Sequence, residues 1–298
     1  MRSIALVAAL SFAGAAQAQT VTVETYSGPV EVPAAPETVV VLDLAGVDAL
    51  QALGVPIAGV PDIQPPAYLA DVMAEAEIVG TLFEPDFEAL AVMAPDLIIA
   101  GGRSQTQVEP LSAIAPTIDM TIWEDVIGQG RARVEAYGDI FGKEAEADAL
   151  LADLDAAIEG AQSAAEGMGD ALILLTNGGK VSAYGDDSRF GWIHTDLGLP
   201  EAFAELDAET HGESVSFEFI AEVDPDIILV IDRGAAIGQD GEAAAVTLDN
   251  PLVAGTTAAE TGRIIYLDSA ALYLVGGGIQ SLMLTIEEIT DALQNARS

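Results

Sequence analysis

Arg103 and Arg233 are the first residues in this chain whose type and spacing suggest chemistry. They end two segments, 87–103 (FEALAVMAPDLIIAGGR) and 217–233 (FEFIAEVDPDIILVIDR), that repeat at an offset of 130 residues with seven of seventeen positions identical. In each copy an amphipathic stretch stops before Pro-Asp, a continuous apolar run follows, and the Arg stands just past its end. The residue before a proline is biased away from helix, and a short apolar run reads as a buried strand, so each Arg belongs at a strand's carboxyl end. Ligands of open α/β sheets bind at that edge, where the planar fork of a guanidinium suits an oxyanion. A lone Arg is ordinarily a surface residue. Two at matching strand ends, in a chain with 10 Lys and Arg against 48 Asp and Glu, point to an anion held between two similar units.

Other candidates follow from their neighbours. His211 sits in the polar, turn-like ETHGES, where Gly212 permits a sharp turn; such a His is available to a ligand or simply solvated. Tyr273 lies between the apolar run at 264–267 and Gly276-Gly277-Gly278, which places it in a loop at the ligand edge of the second sheet, as a ligand group or as a half-buried packing aromatic. His194 falls inside a helical pattern and reads as a packed structural histidine. Arg189, beside Asp186 and Asp187, reads on its own as a surface ion-pair residue. Enzyme motifs are missing: there is no Gly-x-Ser-x-Gly, neither Lys143 nor Lys180 completes a P-loop, and the triple glycine follows no dinucleotide fingerprint. With no Cys and two His, thiol nucleophiles, iron–sulfur clusters and Cys- or His-rich metal sites are excluded. A secreted metal-dependent hydrolase would need a carboxylate/His cluster with an open metal position, whereas the acidic residues here are scattered.

The elements that must position these residues alternate in a βα rhythm. At 298 residues the chain has room for two domains, and a formal charge of −38 excludes nucleic acid as a partner. Residues 1–18 form a secretory signal, with Arg2, an apolar run at 4–16 and a small-x-small site at Ala16-Gln17-Ala18. No later stretch reaches the length of a membrane span, so the mature chain, lacking a lipobox Cys, is expected to be a periplasmic monomer that does not insert in the membrane. After a polar leader at 19–37, strands are predicted at 39–42 and 97–100 and a short helix at 47–53. Residues 144–167 predict one long helix with Leu150, Leu151, Leu154 and Ile158 on its apolar face. A second βα series starts at 171–175 and ends in a helix at 279–294. The fold class expected is α/β: two Rossmann-like lobes with parallel sheets, 36–142 and 168–298, joined by a linker helix at 143–167.

The motifs PETVVVLDLAGVDALQALGV, DFEALAVMAPDLIIAGGR, SAYGDDSRFGWIH, THGES, VIDR and YLDSAALYLVGGGIQSL together resemble the ferric-siderophore periplasmic binding proteins of ABC importers, and most closely the CeuE type that takes catecholate siderophores. The resemblance runs from about Pro36 to the C-terminus. It implies that Arg103, Arg189 and Arg233 hold an anionic ferric complex. It also implies that His211 and Tyr273 complete the Fe(III) sphere when the siderophore supplies four oxygens, with iron entering only as part of the ligand and no intrinsic cofactor. Fe(III) prefers oxygen donors, so a phenolate suits it and imidazole is acceptable. Glu88 and Glu218, equivalent positions in the repeat, are implied to dock on Arg of the permease, although a first-turn helix Glu is also favoured by the helix dipole alone. Haem or a corrinoid is the alternative cargo on the same fold, with propionates or phosphate taken by the Arg.

Overall fold

The computed structural model describes residues 20–206, 212–239 and 241–297. The signal segment and His211 lie outside them. Alternation of Val with Thr and Glu makes β1 (Thr20–Thr25) apolar on one face, and it pairs antiparallel with β2 (Gly28–Pro33), burying Val23 and Val32. The stretch expected to be a polar leader is therefore a docked hairpin. Its turn donates from Tyr26 N to Asp119 O (2.8 Å) and from Ser27 Oγ to Asp119 Oδ2 (3.2 Å), and the buried Arg133 donates Nη1 to Glu24 O (3.1 Å).

The first sheet contains β3 (Val39–Val41), β4 (Gly59–Val60), β5 (Glu77–Ile78), β6 (Leu97–Ala100) and β7 (Thr117–Asp119), all parallel in the order β5-β4-β3-β6-β7. The second contains β8 (Ala171–Asn177), β9 (Lys180–Tyr184), β10 (Glu213–Val215), β11 (Ile227–Asp232) and β12 (Ile264–Tyr266), in the order β10-β9-β8-β11-β12. The pairs β8–β11 and β11–β12 are parallel, whereas β9 pairs antiparallel with both β8 and β10, so this sheet is mixed where parallel strands alone were expected. The reason is the connection between β8 and β9, which is only Gly178-Gly179: two residues can turn a hairpin but cannot carry the crossover that parallel neighbours require.

The repeat is structural as well as sequential. Helices Phe87–Met93 and Phe217–Val223 both end at a residue in the left-handed conformation, Ala94 and Asp224, each with φ of 49° and each followed by proline. Strands β6 and β11 then bury both faces. Leu97 and Ile99, like Ile227, Leu229 and Ile231, pack into one core that runs through both lobes, while Ile98 and Ala100, or Ile228 and Val230, pack into separate outer clusters. The helix Glu144–Ala165 joins the lobes through Ala147, Leu151, Leu154 and Ala161; at 22 residues it is roughly 33 Å long. Leu150 and Ile158 are only partly buried against the same core. The C-terminal helix Ile279–Ala296 packs along it.

A buried carboxylate clasps the two halves. Asp48, in the helix Leu44–Ala52 after β3, accepts from Gln280 N (2.9 Å) and Ser281 N (3.0 Å) at the start of the C-terminal helix and from Tyr68 Oη (2.7 Å). That helix begins at Gly278, which has no capping side chain, so Asp48 supplies the cap from a position 232 residues earlier. The triple glycine is the backbone that reaches this clasp: a Cβ on Gly278 would stand 2.7 Å from Asp48 Cγ, and Gly277, at φ +87°, would meet Ile122 at 2.6 Å. Desolvation pushes the Asp48 carboxyl up to about 6 in spite of its three donors. Asp48→Ala leaves all three donors unpaired in the interior and should lower the unfolding free energy by about 3 kcal/mol, against about 1 for Tyr68→Phe. Urea denaturation measures both, and a loss near zero for Asp48→Ala would show that the clasp contributes nothing.

Candidate functional site

Each strand-end Arg is positioned by its own local device. After β6, Gly101 passes so close to the next strand's continuation that a Cβ there would lie 2.9 Å from Thr121 N, and Gly102 takes φ of +51°. Gly101 N donates to Ser104 Oγ and Gly102 N to Thr121 Oγ1, both at 3.0 Å, which fixes the turn carrying Arg103. After β11, Asp232 accepts from Ala235 N (3.0 Å) and Ala244 N (2.8 Å) and holds the turn carrying Arg233. Arg189 follows a turn closed by Ser188 Oγ donating to Gly185 O at 2.6 Å.

The three guanidiniums converge on Tyr273. Arg103 donates Nη2 to Tyr273 O (3.1 Å) and Nη1 to Leu274 O (3.3 Å), and Arg189 donates Nη2 to Tyr273 O (2.8 Å). Arg233 donates Nε to Tyr273 Oη (3.1 Å) and Nη1 to Asn177 Oδ1 (3.4 Å). Their Cζ atoms lie 5.5, 4.9 and 6.0 Å from the centre of the Tyr273 ring for Arg103, Arg189 and Arg233. Tyr273 was expected in a loop; it lies instead near the end of the short helix Ser269–Leu274, capped by Asp268. That difference matters, because the free carbonyls of a helix end are what receive two of the Arg.

All four residues line one cavity of about 760 Å³ between the lobes. Its walls also present Asp43, Trp123, Lys180, Ser182, Tyr184 and Ser214, none of which sequence reasoning had singled out as site residues. For Lys180, Ser182 and Tyr184 a signal existed: they alternate along β9 in the period that puts side chains on one face. Trp123, 44% exposed, is the large aromatic at the cavity; Trp192 is buried.

The electrostatics suit an anion. Burial and the neighbouring charge of Arg103 push the Arg189 guanidinium below its usual value, so like charges are held together in a partly dry site. Arg189 was read on its own as a partner of Asp186 and Asp187, but it turns away from them to Tyr273 O. Among the described residues the two ion pairs are Arg131–Asp155 and Lys143–Glu146, both remote from the cavity. Burial raises the Tyr184 hydroxyl to about 12, opposed by Arg189 and Arg233. Asp43, which caps the helix Leu44–Ala52 through Gly46 N (3.2 Å), is pushed up to about 6 by desolvation, with Arg103 pulling the other way.

The remaining sequence candidates separate cleanly. His194 is buried and its Nδ1 pairs with Leu199 O at 2.9 Å, the structural role expected of it. Glu88 and Glu218 are exposed in the first turns of their matching helices, outside the cavity lining. The Glu218 carboxyl is held below its usual range by its own backbone N–H and the Ser216 hydroxyl.

Residues 39–271 match the periplasmic binding protein family. The chain belongs to this family. It is 38% identical over 269 residues to the petrobactin-binding protein YclQ of Bacillus subtilis, covering 89% of this chain and 84% of YclQ. It is 32% identical over 286 residues to the ferric-anguibactin-binding protein FatB of Vibrio anguillarum, covering 92% and 88%. Among solved structures it is similar to the periplasmic catecholate-siderophore binding protein VctP of Vibrio cholerae, with a TM-score of 0.85, 30% identity, and coverage of 92% of this chain and 100% of VctP. No helix among the described residues of this periplasmic binding protein is long and apolar enough to cross a membrane.

The Asp43 carboxyl yields a pH test. Its folded value of about 6 lies above the ordinary 3.8, so the folded protein holds this proton more tightly than the unfolded chain. The resulting stability is complete below the ordinary value and lost as pH rises through about 6. On lowering the pH from about 7 to about 5, the melting temperature should therefore rise more for the wild type than for Asp43→Asn. The comparison cancels the general relief of charge repulsion that acidification brings to both, and equal rises would show that Asp43 titrates as in an open chain.

Proposed function

We propose that this protein captures an anionic ferric siderophore of catecholate type between its lobes and delivers it to an ABC importer in the periplasmic space. The observation that carries this reading is the convergence of Arg103, Arg189 and Arg233 on Tyr273 in one cavity of a chain whose formal charge is −38. Iron held by four catecholate oxygens is an anionic complex, and three guanidiniums donate to its oxygens while balancing its charge. The Tyr273 phenol supplies a hard oxygen donor for Fe(III). His211 is its proposed companion: it adjoins Gly212, which backs onto the Tyr184 ring, and Ser214 two residues further lines the cavity. Membership of a binding-protein family supports capture rather than catalysis, and relatives named for petrobactin, ferric anguibactin and a catecholate siderophore favour ferric siderophore over haem or a corrinoid.

Titration of a ferric bis-catecholate, followed by Trp123 fluorescence, tests this reading. Arg103→Gln, Arg189→Gln and Arg233→Gln should each weaken binding by about 1.5–3 kcal/mol, and Lys at the same positions should recover only part, lacking the planar fork. Tyr273→Phe should shift the visible charge-transfer band of the bound complex. Unchanged affinity in all three Gln variants, with an unchanged band in Tyr273→Phe, would remove these residues from the site.

Delivery separates from capture. Glu88 and Glu218 stand outside the cavity on equivalent helices, and we assign them to contacts with basic residues of the permease. The double reversal Glu88→Arg/Glu218→Arg should keep siderophore affinity within about twofold while like-charge contact costs several kcal/mol of docking. Iron-limited growth of cells that carry this variant as their sole binding protein should fail; normal growth would leave the two carboxylates as ordinary helix-start residues.

A further inference from the structure

The three Arg and Tyr273 account for one side of the cavity. The face of β9 that forms another wall is so far without a task. Lys180, Ser182 and Tyr184 alternate along that strand and line the cavity, while Val181 and Ala183 between them pack into the outer apolar cluster. Ser214 extends the same wall from β10, where it is the register partner of Ser182. From Lys180 to Tyr184 the ladder is roughly 13 Å long. Among the described residues the hydroxyls of Ser182, Tyr184 and Ser214 make no hydrogen bond to the protein, although all three stand at the cavity.

Lys180 is unusual for this chain. The protein has two Lys, and the other, Lys143, pairs with Glu146 at 2.8 Å. Lys180 has no carboxylate partner among the described residues in spite of the 48 acidic side chains available. Its register partner Asn177 already accepts from Arg233, so Lys180 adds a further basic residue to the same cavity lining. Four of the ten basic residues thus line a single cavity. An exposed Lys at a hairpin end is ordinarily a solubilising residue. Here the strand's alternation directs it, together with a row of hydroxyls that have no protein partner among the described residues, onto one wall of the cleft.

We propose that the β9–β10 face is a second subsite, in which Lys180 and the hydroxyls of Ser182, Ser214 and Tyr184 receive a carboxylate on the arm that links the cargo's catecholates. This rests on the ferric-siderophore reading and narrows its substrate class. An ammonium with three hydroxyl donors matches an acceptor-rich anion and repels a cationic arm. A neutral arm would leave the ammonium uncompensated.

The test uses three ferric bis-catecholates that share one linker length and differ in a single linker substituent: carboxylate, primary carboxamide or ammonium. Wild-type protein should bind the carboxylate form about fivefold more tightly than the carboxamide, the scale of an exposed charge pair, and the ammonium form most weakly. The preference should shrink as salt is raised. Lys180→Gln should abolish the preference of carboxylate over carboxamide, and Lys180→Arg should retain it. Equal binding of carboxylate and carboxamide by the wild type, a preference that survives Lys180→Gln, or tightest binding of the ammonium form overturns the subsite and leaves the ferric-siderophore reading standing. If the wild type binds none of the three complexes, both fall together.

Discussion

Like charges gathered with no carboxylate ion-paired to them among the described residues are the constraint on which this structure turns. Arg103 comes from one lobe, Arg189 and Arg233 from the other, and the Arg103 charge helps push the Arg189 guanidinium below its usual value. In most proteins such a cluster would recruit Asp or Glu, and this chain has 48 of them. What holds the guanidiniums instead is neutral: the carbonyls of Tyr273 and Leu274 at a helix end, the Tyr273 phenol, and the face of its ring. Neutral acceptors fix the forks in place but leave their charge available, which is the condition for binding an anion rather than merely storing cations.

That arrangement requires the lobes to be held in register, because Arg103 must reach carbonyls 170 and 171 residues away. The shared apolar core, the helix Glu144–Ala165 and the Asp48 clasp supply this. The clasp is the most specific of them, since a buried carboxylate accepting from two N–H groups and a hydroxyl is costly to break. The glycines at 276–278 serve the same end by letting the crossing backbone approach Asp48 and Ile122 closely.

How much of this is legible in the sequence depends on the distance over which each signal acts. The repeat is local and strong, so Arg103 and Arg233, their strands and the helix Glu144–Ala165 can be read directly. Arg189 cannot, because its neighbours Asp186 and Asp187 suggest an ion pair; the family resemblance implies that it holds the ligand, and the fold alone shows that it turns to Tyr273. The hairpin β1–β2 shows the alternation of a strand, but its polar composition hides the few buried valines that dock it. The antiparallel return of β9 is written in Gly178-Gly179, a two-residue link that a strict βα reading passes over. Asp48 is beyond reach from sequence, since its partners lie 232 and 233 residues away and nothing around it marks a cap for another helix.

The acidity of the chain and the basicity of its cavity are two sides of one design. A surface of strongly negative sign repels an anionic complex at long range, which slows encounter most at low ionic strength, where screening lengths are long. Inside the cavity the balance reverses, because Arg103, Arg189, Arg233 and Lys180 act over a few ångströms, partly shielded from water, where each interaction is strengthened. The negative exterior therefore discourages anions from binding anywhere but the cleft. Four of the ten Lys and Arg line this one cavity, so an anion entering it would meet several counter-charges together.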